Sequence, residues 1–521
     1  TFYQQETTNI HEFDPSIKAA EARANKLRYS LIQDQTPFSE RFLTAMEEGE
    51  LAHHGSLHSR RVEKAQKTAL RDIYSEKREL LEGEDLEADL SALMLFPYFH
   101  DLDQQTGNVR NLSREADNQL KVKKGHGAGA ALMTLALTER YAETNKISYE
   151  EALNITSPAA VMMLRHDEPE AFDRTFNPTN RDAQGLRGNE LVAAFEADEI
   201  NLFSLSSAQI AEITRLTKQK HKFMADGDSD WGLDPLFEAE YRNELVALTQ
   251  NETPLLEDIS KKRRERLLLF AEGAYFSDMV DMIGPHDLQA MRTFLGQKSR
   301  ERDFSVFQLE KADIQDLSVE EYRMKRHEAV LNAVKNGNGN DMPTDDTRLL
   351  WELLHVSNIS AHSDFGDLPN VHKLVKDQVM MSAIFMKRLG ADIMQGGDAI
   401  DTIINRVYAQ RQGKLELQKN RKELAYQIVF NGTYTAQRDT IDEERHEVIQ
   451  VLKNKHTAYT EEDKADYIQL VDTVIQELRA IYDVDDTQMQ EYKEMVDNGV
   501  YPSSLPCEYD TLPVNKLVII G

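Results

Sequence analysis

The chain has 521 residues, a formal charge of −29, 29% charged and 8% aromatic residues, and one cysteine. That length accommodates two or three domains, or one large domain with a cap, and the acidic balance argues against a nucleic-acid backbone or an anionic membrane as the main partner. The single Cys507 excludes an internal disulfide and points to a reducing, cytoplasmic setting, and no apolar run is long enough to span a bilayer.

A chain that begins on Thr1 and ends on the apolar run 517–521 is expected to be a segment of a longer protein. Residues 15–46, rich in Ala, Glu, Lys and Leu, predict a helical lead-in within a first segment, 1–49. The stretch His53-His54-Gly55-Ser56-Leu57-His58-Ser59-Arg60-Arg61-Val62 then enters a helix through Ala65, Leu70 and Ile73. His54 and His58 are four residues apart and share one helix face. The next predicted helix ends in the apolar run 93–99 and delivers His100-Asp101 from inside a core. A carboxylate beside an imidazole on a buried helix is costly unless compensated, and a metal ion is the usual compensation.

After a loop at 104–108, His126 is set among Gly127, Ala128 and Gly129, small residues that let a neighbouring backbone or ligand come close. An apolar helix over 157–164 delivers Arg165-His166-Asp167-Glu168, and Pro169 makes Glu168 a helix boundary. Residues 189–250 predict two or three helices split by the acidic loop 226–232, which lacks the closing Glu of a calcium hand and reads as solvated. The basic run 261–266 precedes an apolar helix carrying Asp278 and Asp281. The turn-rich segment 336–340 marks a boundary, beyond which helices rich in Glu, Lys and Gln run to about residue 495. Only the last few residues have a strand pattern, so the predicted class is all-α. The expected organisation is a core over 50–335 with a helical insertion at about 170–265, followed by a C-terminal lobe, 341–521.

His58, His100, Asp101, His126, His166 and Asp278 each fall at or near the end of a predicted apolar helix. Imidazole and carboxylate donors drawn from several helices suit Zn, Mn, Fe or Mg, and the imidazoles argue against Ca. Such sites polarise a phosphoryl oxygen and make hydroxide available near neutral pH.

The order His, His-Asp, His, His, Asp resembles the HD superfamily of metal-dependent phosphohydrolases over roughly residues 50–285. His58-Ser59-Arg60-Arg61-Val62 is similar to that family's first ligand motif, Phe99-His100-Asp101 to its signature dyad, and Phe276-Ser277-Asp278 to its closing acid motif. The resemblance implies an all-helical HD core with one divalent metal on His58, His100, Asp101 and Asp278. It further implies that His126 and His166, with or without Asp167, hold a second metal or contact the substrate phosphate. Two subfamilies compare most directly. His54 and His100-Asp101-Leu102-Asp103 resemble cyclic-nucleotide phosphodiesterases, in which the earlier His donates a proton to the leaving oxygen, although Gln104 stands where a second His is expected. His54-Gly55-Ser56-Leu57-His58 and Phe99-His100-Asp101 also resemble the phosphodiesterase domain of SidE-type bacterial effectors. That group releases phosphoribosyl-linked ubiquitin through catalytic His without metal, and membership would place the protein in a host cytosol.

The expected activity is therefore hydrolysis of a nucleotide-type phosphoester by metal-activated water. His54, His58 and His126 are the catalytic candidates, and Arg60, Arg61, Arg165 and His166 the substrate-binding ones. A metal-free phosphodiesterase acting on a phosphoribosyl-modified protein, and a helical interaction protein with a vestigial HD core, remain as alternatives. The segment 353–360 also looks like a closing motif, but it offers Asn358 where an acid is needed. A carboxylate brings a full charge to a divalent cation and an amide only a dipole, so Asp278 is the expected ligand.

Overall fold

A computed structural model describes residues 14–33, 36, 56–103, 126–166, 180–197, 199–221, 231–233, 235–282, 368–395 and 461–498, with positions 350, 353, 354, 356, 357, 360, 366, 398, 401, 402, 405, 450 and 453. Among these the chain is mostly helical. It divides into two compact units, Thr1–Met279 with Leu368–Val371, and Val280–Asp367 with His372–Gly521.

In the first unit α1 (Asp14–Gln33) is followed by α2 (Ser56–Glu76), a short 3-10 turn (Arg78–Leu81) and α3 (Leu86–Phe99). Then come α4 (His126–Ala136), α5 (Thr138–Asn145), α6 (Tyr149–Arg165), α7 (Gly188–Glu196), α8 (Ser207–His221), α9 (Pro235–Gln250) and α10 (Lys261–Met282). The only strands among the described residues are two-residue pieces, β1 (Arg181–Asp182) and β2 (Ile200–Asn201), paired in parallel. β2 falls within the stretch 189–250 for which only helices were expected.

Three helices form the centre of this unit, and composition explains why. Every residue of α4 is buried, as is every residue of α3 from Asp89 to Phe99. All of α6 from Ile155 to Arg165 is buried as well. A helix apolar all round has no solvent face and packs on every side. α6 packs on both α3 and α4, α1 and α2 flank α3, and α8 covers α4. The small residues of α4 permit the closeness: a Cβ on Gly129 would overlap the side chain of Asp103. The start of α6 is set by a reciprocal capping box between Ser148 and Glu151.

The helix α11 (Pro369–Gln395) has its first turn in the first unit. There Asp72 of α2 accepts from the backbone N–H groups of Asn370 (2.8 Å) and Val371 (3.0 Å) and from the Asn370 amide (2.6 Å). A carboxylate thus satisfies the orphan donors of that helix start. In the second unit, α12 (Glu461–Tyr482) and α13 (Asp486–Asp497) join the rest of α11. Tyr492 donates to Asp377 at 2.6 Å, and Tyr482 shares a hydrogen bond with Ser360 at 2.9 Å. The turn-rich segment 336–340 lies outside the described residues, as do the acidic residues 226–230 and the apolar C-terminal run. No helix among the described residues is long and apolar enough to cross a membrane.

Candidate metal centre

Six side chains from five places in the first unit converge on one buried point. His58 comes from the first turn of α2 and His126 from the first residue of α4. His100 and Asp101 follow the last residue of α3, His166 follows α6, and Asp278 lies in the penultimate turn of α10. All six are buried: His58 and His100 are 0% exposed, and His126, the most exposed, 5%.

The ends of α3 and α6 do chemical work on their own histidines. The Phe96 carbonyl takes two donors, the backbone N–H of His100 at 3.0 Å and the ring of the same residue. His100 Nδ1 lies 2.9 Å from the Phe96 carbonyl and His166 Nδ1 lies 2.6 Å from the Met163 carbonyl. A carbonyl oxygen only accepts, so each Nδ1 carries a proton and each ring turns its Nε2 into the cluster. Phe96 fixes both rings: it stacks on His100 at 4.7 Å and meets His166 edge-on at 5.5 Å.

Asp101 divides the donors into two halves. Its Oδ2 lies 3.1 Å from His100 Nε2 and 3.5 Å from His58 Nε2. Its Oδ1 lies 3.4 Å from His126 Nε2 and 3.7 Å from His166 Nε2. His58 and His100 are 3.0 Å apart, and His126 and His166 are 2.9 Å apart, all through Nε2. Asp278 Oδ1 lies 3.1 Å from His58 Nε2 and 3.4 Å from His100 Nε2, and Asp278 also comes within ligating reach of His166.

These distances suit a shared cation. Two donors at about 2.1 Å from one ion and at right angles to each other lie about 3.0 Å apart. Three-donor groups within the cluster, His58–His100–Asp101, His100–His166–Asp278 and Asp101–His126–His166, each bring their donor atoms within metal-ligating reach of one another. Asp278 Oδ1 supplies a further test, because it is buried at ion-pair distance from two imidazoles and makes no well-aligned hydrogen bond among the described residues. A buried carboxylate oxygen in that condition is expensive, and a cation satisfies it. The residues present therefore fit a metal ion in each half.

The electrostatics agree. Burial lowers the pKa of His100, but the Asp101 and Asp278 carboxylates outweigh it and hold the imidazolium up to about 10. Burial opposes ionisation of Asp278, yet the His100 and His58 imidazoles hold its carboxyl well below the usual carboxylate range. A field that retains a proton on Nε2 so firmly attracts a divalent cation by the same charges, and the two compete for one lone pair. The C-terminal ends of α3 and α6 add partial negative charge at this point.

All six metal ligands expected from the sequence come together here. His54 and Asp167 lie outside the described residues, as do Asn358 and the side chains of Arg60 and Asp281. Arg61 is half-buried on α2. Arg165 is buried, with its guanidinium bonded to the Phe195 carbonyl and seated 3.9 Å above the Phe195 ring, a packing role rather than the phosphate contact expected of it.

Sequence reasoning missed a buried ion pair beside the centre, between Asp103 and Lys218 of α8. A signal existed, because Lys218 continues the buried stripe Ile210 and Thr214 at four-residue spacing. Comparison with known protein families, curated proteins and solved structures found no match to this chain.

Proposed function

We propose that this chain is a metal-dependent phosphohydrolase of the HD type, acting on a phosphodiester of nucleotide character. The observation that carries the reading is Asp101, whose two oxygens face two separate pairs of imidazoles. A carboxylate so placed would offer one oxygen to each pair of imidazoles as a ligand of a divalent cation. His58, His100, Asp101 and Asp278 would hold one ion, and Asp101, His126 and His166 the other. Mn, Fe, Zn or Mg in this setting supplies Lewis-acid polarisation of a phosphoryl oxygen and a water of lowered pKa.

The remaining work falls to the chain. The protonated Nδ1 atoms of His100 and His166, held by helix-end carbonyls, keep both Nε2 lone pairs directed inward throughout a cycle. Three protein donors in the second half leave more room for a substrate oxygen than four in the first. The helices α2 and α4 begin at the centre, so the partial positive charge of their first turns faces an approaching phosphate. With a net charge of −29, the chain depends on this local field to attract an anion. His54, four residues before His58, is the proton donor to the leaving oxygen, and Arg60 and Arg61 are the cationic side chains available to a phosphate.

The test combines metal analysis with hydrolysis of a chromogenic bis-aryl phosphodiester. The purified chain should carry about two equivalents of transition metal, and a strong chelator should abolish turnover until Mn or Fe is restored. Turnover that survives complete chelation would overturn the metal reading and favour a histidine-based phosphodiesterase acting on phosphoribosyl-modified protein.

A further inference from the structure

Three helices carry ligands into the centre with their C-terminal halves, and all three enter a second buried polar cluster at the same distance upstream. Asp89 lies twelve residues before Asp101 on α3, Asn154 twelve before His166 on α6, and Arg266 twelve before Asp278 on α10. Twelve residues of α-helix span about 18 Å. The second cluster is saturated with directional bonds. Arg263 Nε and Nη2 donate to Asp89 Oδ1 at 3.1 and 2.9 Å, and Arg266 Nε and Nη2 donate to Asp89 Oδ2 at 2.8 and 2.5 Å. Arg263 Nη2 also reaches Asn154 Oδ1 at 2.8 Å and the Asn154 carbonyl at 3.4 Å. That carbonyl is available because Pro158, four residues on, has no N–H to give it. Asp85 closes the network, pairing with Arg263 at 3.0 Å and accepting from the Asn154 amide at 2.8 Å. Arg266 is 1% exposed and also donates to the carbonyls of Leu80 and Glu84.

We infer that Asp89, Asn154, Arg263 and Arg266 form a register clamp that aligns α3, α6 and α10 along their axes, so that Asp101, His166 and Asp278 reach one level. The inference rests on the metal reading of the centre. Sliding one helix by a single residue moves its ligand about 1.5 Å and turns it about 100°, which is enough to remove it from the donor set. Apolar side chains pack acceptably in more than one offset, whereas two-pronged guanidinium–carboxylate bonds hold in only one. A slipped register would also leave a charge buried without its partner. The four residues are positioning residues: they act on the centre through the helices and do not touch it.

The experiment uses the full chain, with Co²⁺ as the probe and visible absorption plus metal analysis as the readout. Arg266→Gln should keep the parent's far-ultraviolet circular dichroism and weaken Co²⁺ binding about 10- to 100-fold, the range seen when supporting residues of a metal site are removed. Against an Asp278→Ala background the same substitution should weaken Co²⁺ binding no further, since α10 then brings no ligand. A lowered unfolding midpoint with parental Co²⁺ affinity, or an equal loss in both backgrounds, would overturn the clamp. Should Arg266→Gln fail to fold, Asn154→Ala, which removes only an amide, serves the same cycle against His166→Ala. A parent chain that binds no Co²⁺ would instead overturn the metal reading, which separates the two failures.

Discussion

Two buried polar clusters occupy the two ends of the same three helices, and they are built on opposite principles. Around Asp89 the charges balance: two guanidiniums meet two carboxylates, and main-chain carbonyls take further N–H groups. Around Asp101 four imidazoles and two carboxylates turn their donor atoms to one point. The donors distinguish the two clusters: guanidinium–carboxylate bonds tie helices to one another, whereas imidazole nitrogens and carboxylate oxygens gathered at one point are the donor set of a cation site.

The largest expected effect falls on the Asp101 end. Asp101→Asn removes the charge shared by both halves, and turnover of a phosphodiester should fall by roughly four orders of magnitude or more, with both metal equivalents lost by elemental analysis. Retention of full metal content would refute the bridging role.

His54→Ala sharpens the same point from outside the ligand set. Metal content should stay at the parental level while kcat drops by about two to four orders of magnitude, the range for general acid help. His58→Ala should lose metal as well as rate. Parallel behaviour of the two variants would dissolve the distinction between acid and ligand.

The Asp89 end should respond in stability rather than chemistry. Asp89→Ala leaves the buried Arg266 guanidinium without its carboxylate and Arg263 with Asp85 alone, and denaturant unfolding of the metal-free chain should register a loss of about 3–5 kcal/mol. A loss well below that would mean the cluster is wetter and looser than its bond lengths indicate.

A smaller effect comes from pH. His100 in the metal-free chain is raised to about 10 from an ordinary 6.5, so the stability it contributes is complete below 6.5 and fades as pH rises through about 10. Bound metal replaces that proton. The gap between the unfolding midpoints of metal-loaded and metal-free protein should therefore widen between pH 6.5 and 10, and metal addition near pH 7.5 should release protons, measurable in weakly buffered dye solution. A gap that is flat across this window would argue against the competition at Nε2. Asn358→Ala should have the least effect, leaving metal occupancy unchanged.

Local pattern carried much of this molecule. The apolar run before His100 and the one before His166 are long enough to specify buried helices, and a His just past such a helix is placed where its ring meets a carbonyl of the last turn. His100 and His166 were legible for that reason, whereas His58, His126 and Asp278 became legible as a set through the order that resembles the HD superfamily. The pairing was not: no spacing in the chain says that His126 meets His166, 40 residues on, or that Asp101 turns one oxygen to each pair. The run 261–266 shows in the sequence only as a basic stretch ahead of an apolar helix, yet Arg263 and Arg266 continue the buried stripe of Phe270 at intervals of three and four residues. Whether an arginine on such a stripe is tolerable depends on a carboxylate 177 positions earlier arriving at the same depth. Helix periodicity is a property of neighbours in the chain, so sequence expresses it directly. Charge compensation is a property of neighbours in space, and the packing of α3, α6 and α10 settles it.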